Sequence, residues 1–439
     1  MTPRIQLLAL QPAVCNDTAT TVQLLVRLRA PRPEMDRRPS LNVGISIDRS
    51  GSMNGIPLER AKEAASHLVE QLQATDCISV VAFDSVVDIL APFQRAQAPR
   101  PILASLSALT ARGGTNLYQG WVESCRQVAE GIKGGRLNRI ILLSDGGANE
   151  GIVHPLRIAE EVARWQSQGI TTSTIGLGQS YNEDLMSAMA KAGNGSFYHV
   201  QTPEEIVTTF QIEMLGLSAT FGQAVSLGII PSEGVEVTRI YNVLDETPGG
   251  RLKLSDLVHG CPIDVVVELQ VSPQTEERDL CRFRLAWTGV EEQQRLCIDA
   301  QLRLPVVPRG QLSEFPLNEE VAQIRALKLS ARLLSDSIAQ IDRKERTQAR
   351  ETLRAALDVL GEAEACDEIE QTRKQVQELV QQLERGDLSG ARKGATYASS
   401  SVSMGSVALH GWVKAFLALP PDERTPEKAE ELRKASGWM

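Results

Sequence analysis

Two kinds of apolar spacing alternate along the first half of the chain. From residue 41 to about 215, short continuous apolar runs are separated by stretches whose apolar residues recur every three or four positions. The runs "LNVGISI" (41–47), "CISVVAFD" (77–84) with "VVDIL" (86–90), "RIILLSDG" (139–146), "ITTSTIGLG" and "SFYHV" read as strands. They are too short for buried helices and rich in β-branched residues. The intervening "PLERAKEAASHLVEQLQ", "PRPILASLSAL", "NLYQGWVESCRQVAEGI", "PLRIAEEVARWQSQG", "NEDLMSAMAKAG" and "PEEIVTTFQIEMLG" read as helices. Repeated β-α alternation predicts a mostly parallel, doubly wound sheet with helices on both faces.

The period changes on both flanks. Residues 4–30 and 217–306 alternate by two, broken by Gly and Pro, which predicts the strands of an antiparallel β-sandwich. Two amino-terminal strands cannot bury a face alone, so they are expected to join the later ones. The expected organisation is multidomain: an α/β domain inserted in an antiparallel β-sandwich, followed by an α-helical carboxyl-terminal region. Residues 1–40 hold the first sandwich strands, 41–215 the α/β domain and 216–310 the rest of the sandwich. Residues 311–387 form a helical region, broken near Gly361 and Asp367. Residues 388–439 are expected to be a flexible Ser/Gly-rich segment and a terminal helix, with 391–408 open to proteases.

Composition narrows the function. The 439 residues are 42% hydrophobic and 23% charged, a balance ordinary for globular domains. A net charge of −9 argues against nucleic acid and anionic membranes as partners. No apolar run approaches the about 18 residues of a membrane-spanning helix, so no membrane insertion is expected. The start, "MTPRIQLLALQPAV", reads as a strand and not as a signal peptide. The seven cysteines are odd in number, scattered and never spaced C-x-x-C, which suits reduced thiols and a cytoplasmic location. The five histidines are equally dispersed, so a His-based metal or nucleophile site is not expected.

Candidate chemistry gathers where strands end. "DRSGSM" (48–53) places Asp48, Ser50 and Ser52 on a loop after a buried strand, where open α/β sheets bind ligands. The same residues also suit an ordinary turn and helix cap. By chance D-x-S-x-S arises on the order of once in ten chains of this length, so alone it decides nothing. "RGGTNL" adds Thr115 and "LLSDGG" adds Asp145, each on its own loop at the same sheet edge.

In the order D-x-S-x-S, T, D, these loops resemble the metal-ion-dependent adhesion site of von Willebrand factor A-type (vWA) domains, which are Rossmann-like and include integrin I domains. "TIGLGQSYNEDLMSAMAKAGNGSFYHVQTPEEIVTTF" extends the resemblance, which covers roughly residues 41–215. The resemblance implies a divalent cation bound directly by Ser50 and Ser52. Thr115 joins them in the ligand-ready state, while Asp48 and Asp145 act mainly through waters and hydrogen bonds. Oxygen-only donors favour a hard cation, Mg²⁺ first, with Mn²⁺ or Ca²⁺ as alternatives. Gly113, Gly114 and Gly146 let backbone approach closely.

The implied partner is a protein offering an Asp or Glu carboxylate to the open metal position. The chain is then a scaffold or regulatory subunit of the bacterial intracellular vWA type, not an enzyme. As in integrin β chains, which this arrangement resembles, movement of the last helix (203–215) is expected to tilt one domain against the other. Two alternatives stand beside this: a metal-dependent hydrolase, and a vWA subunit of an AAA-ATPase or chelatase-like assembly. The first needs a base or nucleophile beside the metal, and none is evident. "GLG" (176–178) is a strand-to-helix turn, and neither a P-loop nor a nucleophile elbow is present.

Overall fold

The computed structural model describes residues 2–31, 38–132, 135–290 and 293–404. In chain order the first strands are β1 (Arg4–Ala9), β2 (Val14–Cys15) and β3 (Thr20–Arg29). The α/β stretch follows: β4 (Ser40–Asp48), α1 (Ile56–Gln71), β5 (Cys77–Phe83), β6 (Val87–Arg95), α2 (Pro99–Ser107) and α3 (Leu117–Ala129). It continues with β7 (Arg136–Ser144), α4 (Pro155–Ser167), β8 (Ile170–Leu177), α5 (Glu183–Ala192), β9 (Asn194–Val200) and α6 (Glu205–Ser218). Strands then dominate: β10 (Thr220–Pro231), β11 (Val235–Ile240), β12 (Leu252–Lys253), β13 (Leu257–Val258), β14 (Ile263–Val271), β15 (Cys281–Gly289), β16 (Arg295–Leu302) and β17 (Val306–Val307). Four helices close the described chain: α7 (Glu319–Asp342), α8 (Arg346–Glu362), α9 (Asp367–Glu384) and α10 (Leu388–Met404).

All residues of β5 and β8 are buried, and β4 and β7 are buried from their second residue onward. Their apolar runs are therefore those of strands covered on both faces. They form a six-stranded sheet in the order β6-β5-β4-β7-β8-β9. Every pairing in it is parallel except β5 with β6. After β4 the chain builds outward through β5 and β6, then returns to lay β7 on the other side of β4. This reversal opens a crevice at the carboxyl ends of β4 and β7, the position where such sheets take ligands. Asp48 ends β4, and Asp145 directly follows β7.

The flanking strands form two antiparallel sheets. One has the order β1-β3-β14-β11; the other has the order β12-β10-β15-β16, with β13 also on β10. Val22, Leu24 and Val26 of β3, with Val265 and Val267 of β14, share an apolar cluster with Val225, Phe283, Leu285 and Trp287 of the second sheet. The opposite face of the first sheet is covered as well, where Leu25 and Val266 pack with Tyr241 and Val321 of α7. Arg27 of β3 pairs with Asp264 of β14 at 2.7 Å and with Glu320 of α7.

Two compact units result. Among the described residues, one joins 2–31 to Phe221–Gly289 and to 294–404; the other is built on 38–220. The helical region thus groups with the flanking strands, where the sequence suggested a region of its own. The boundary expected at 215–216 falls inside α6, whose last turn continues to Ser218 before β10 begins.

The structure also corrects the reading of residues 388–404, which form α10 where composition suggests a flexible linker. The small side chains are spaced for packing: Ala391, Ala395, Ala398 and Val402 lie in one apolar cluster with Leu327 and Leu334 of α7 and Leu379 of α9. Serines follow suit, with Ser399 Oγ donating to the carbonyl of Ala331 at 2.9 Å. The expected terminal helix and the stretch "HGWVKAFLALP" lie outside the described residues.

Candidate metal centre

Asp48 has no exposed surface. Its Oδ1 accepts from the main-chain N of Ser50 at 2.8 Å, and its Oδ2 accepts from Ser144 Oγ. The first bond folds the D-x-S turn back on itself, as Asp does at turns, and aims both serines across the crevice. Ser50 Oγ and Ser52 Oγ are 3.1 Å apart. Ser52 Oγ donates to Asp145 Oδ1 at 2.7 Å, joining the loop after β4 to the loop after β7.

Thr115 arrives from the loop before α3, and Gly146 shows where it meets the others. A Cβ placed on Gly146 would stand 3.2 Å from Thr115 Oγ1, 3.6 Å from Ser52 Oγ and 3.9 Å from Asp48 Oδ2. Oxygens from the Asp48 loop and the Thr115 loop therefore converge beside a backbone position on the third loop, where any side chain would crowd them. All five residues singled out from the sequence, Asp48, Ser50, Ser52, Thr115 and Asp145, are brought to one end of one sheet.

Electrostatics make this cluster uncomfortable without a cation. Burial pushes the Asp48 carboxyl up to about 6, against hydrogen bonds from Ser144 and Ser50, and the neighbouring Asp145 pushes it the same way. Burial also raises Asp145, against the hydrogen bond from Ser52. Two carboxylates and three hydroxyls, all oxygen, match the needs of a hard divalent ion. The set fits such an ion, with Ser50, Ser52, Thr115, Asp48 and Asp145 as the residues that would hold it. Among the described residues no group of three or more His, Cys, Asp or Glu is placed to bind a metal, so the hydroxyls are essential to the fit.

Other residues of the site escaped the sequence reading. Asp84, which follows β5 and is buried, accepts from Arg49 Nε at 2.7 Å and from Arg112 Nε at 2.8 Å. These arginines sit in the Asp48 loop and in the Thr115 loop. Asn149 Oδ1 accepts from Thr115 N at 2.9 Å, and Ser85 Oγ donates to Glu150 at 2.8 Å. The signal for Asp84 was present, since it stands at a strand end on the same sheet edge, but "FDS" reads as an ordinary turn.

Comparison with known proteins bears on the α/β stretch that carries these residues. Residues 42–212 match the model of the von Willebrand factor type A domain. An uncharacterized protein of Synechocystis sp. is 33% identical over 193 residues, covering 43% of this chain and 44% of its own. The uncharacterized protein YfbK of Escherichia coli is 28% identical over 327 residues, covering 71% of this chain and 56% of its own. The chain thus spans about half the length of these relatives. Among solved structures, a von Willebrand factor type A protein from Catenulispora acidiphila has the same fold, with a TM-score of 0.67 at 17% identity over 86% of this chain and 89% of that one. Domains of this family mediate protein–protein interaction and metal-dependent binding. The α/β unit, residues 42–212, is thus the part of this chain that matches a von Willebrand factor type A domain.

Proposed function

We propose that the α/β unit is a Mg²⁺-dependent protein-interaction module, and that the chain serves as a scaffold or regulatory subunit. Ser50, Ser52 and Thr115 hold the ion through hydroxyls, while Asp48 and Asp145 supply negative charge and orient the donors. Neutral hydroxyls among the ligands leave the ion short of negative charge, so its open position takes an Asp or Glu carboxylate from a partner protein. The observation that carries this is the convergence of Thr115 Oγ1, Ser52 Oγ and Asp48 Oδ2 around Gly146. The unit acts by binding and has no chemical step assigned to it.

The flanking strands are read as a β-sandwich frame into which this unit is inserted. The pairing of β3 with β14 and the apolar cluster between the two sheets support that reading. A cytoplasmic setting is supported by Cys15, Cys77, Cys125 and Cys281, which are buried free thiols.

The test is thermal unfolding with Mg²⁺, Mn²⁺ or EDTA, alongside partner capture. Either ion should raise the Tm of the wild type, because it binds the folded state. Capture should be abolished by EDTA and by Asp48→Ala. A Tm shift of equal size in Asp48→Ala would remove the metal assignment.

A further inference from the structure

Thr115 reaches the proposed metal position from a loop of its own, and two sets of bonds fix that loop from opposite sides. Asp84 anchors the first set. Its Oδ2 accepts from both Arg49 Nε and Arg112 Nε, at 2.7 and 2.8 Å, and its Oδ1 accepts from Val86 N at 2.7 Å. Its main-chain oxygen accepts from Asn116 N at 2.9 Å, directly after Thr115. Two main-chain bonds run alongside, from Arg112 N to Arg49 O at 2.8 Å and from Gly51 N to Gly113 O at 3.1 Å. Through these contacts the Asp48 loop, the end of β5 and the Thr115 loop are one piece.

Asn149 anchors the second set. Its Oδ1 accepts from Thr115 N at 2.9 Å. The carbonyl of Thr115 in turn accepts from Asn149 N and Glu150 N, at 3.2 and 3.3 Å. Both main-chain polar groups of Thr115 are thereby tied to the loop that carries Asp145.

The charges in this arrangement balance. Arg49 and Arg112 face Asp84 and also Asp88, with Arg112 Nη2 donating to Asp88 at 2.9 Å. Two cations and two anions add little net field at the metal position, so their effect there is geometric. Contacts of this kind, one step behind the ligands, set ligand orientation and typically change metal affinity about 10- to 100-fold when removed.

We infer that Asp84 and Asn149 are positioning residues that hold Thr115 Oγ1 at the metal position. This rests on the metal-site reading above. The experiment is calorimetric titration of Mn²⁺ into the full chain: wild type, Asp84→Asn, Asn149→Ala, Thr115→Ala, and each of the first two combined with Thr115→Ala. Each positioning variant alone should bind about tenfold more weakly. Combined with Thr115→Ala, Asn149→Ala should weaken binding no further and Asp84→Asn only by the charge it removes, because the hydroxyl each positions is already gone.

An equal loss in both backgrounds would mean general loosening of the fold and would overturn the inference. So would unchanged affinity in the two single variants. Should circular dichroism show that Asp84→Asn does not fold, Arg112→Ala removes the same contact through a side chain that is 53% exposed. Failure of the wild type to bind Mn²⁺ would instead overturn the metal-site reading, and the positioning role with it.

Discussion

An ionised carboxylate with no exposed surface destabilises a fold unless positive charge lies beside it. Asp48 is in that position, and the sign of its pH effect follows. Its value rises from 3.8 in the unfolded chain to about 6 in the folded protein. The folded state therefore keeps a proton across that window which the unfolded chain has lost. Without metal, stability should fall as pH rises through the window and stay low above it, compared with Asp48→Asn. Asp48→Asn should be at least as stable as the wild type at pH 7 without metal, yet show no rise in Tm with Mg²⁺. A thermal-shift series across pH, with and without Mg²⁺, reads both effects. Gly146→Ala should weaken metal binding while leaving the fold intact, since its Cβ would crowd Thr115 Oγ1 at 3.2 Å; titration of Mn²⁺ checks it. The five candidate ligands were legible because small polar residues stood just past buried runs. Asp84 stood at a strand end yet read as a turn, and Arg112 and Asn149 gave no such signal, because their roles exist only in the pairings Arg112–Asp84 and Thr115–Asn149, which join residues 28 and 34 apart in the chain.

The central strands of the α/β unit follow their hydrophobic period closely, whereas edge strand β6 buries only Ala91 and leaves Ile89 exposed. Helix α10 shows where that logic fails. Composition weighs side-chain size, whereas helix packing depends on the space between axes, and small residues let axes approach. A Cβ on Gly394 would lie 2.5 Å from Leu379 Cδ2, and Lys328 Nζ donates to the Val402 carbonyl at 2.6 Å. Residues 388–399 should therefore resist limited proteolysis, contrary to their composition. Ala395→Leu should overpack the contact, at about 1–3 kcal/mol, and expose the segment to cleavage. Helix α6 is pinned in a different way. Its buried Glu213 accepts from Ser173 Oγ at 2.6 Å and Tyr198 OH at 2.7 Å, with Arg139 beside it. Removing that carboxylate would strand buried donors, so Glu213→Ala should lower the Tm of the α/β unit far more than a surface Glu→Ala change.

At the scale of the molecule, one compact unit is built almost wholly on one continuous stretch, Met35–Thr220, and the other on segments from both sides of it. A fragment of residues 38–220 should therefore fold alone and keep its response to Mg²⁺, measured by thermal shift. Loss of residues 1–30 should instead raise hydrogen exchange in β14, because β3 is its neighbour along nine paired positions. The same pairing has a consequence for synthesis on the ribosome. Val22 must find Leu269, and Leu28 must find Ile263. About 250 residues are made in between, roughly 10 to 50 s of translation. During that wait β1 and β3 can pair only with each other, as a two-stranded hairpin that is marginal by itself and whose apolar face, with Leu7, Val22, Leu24 and Val26, has no cover. The α/β stretch has meanwhile emerged complete. A nascent chain arrested soon after residue 250 should thus carry a folded metal-responsive unit beside a bare hairpin, and that hairpin is where a chaperone would bind.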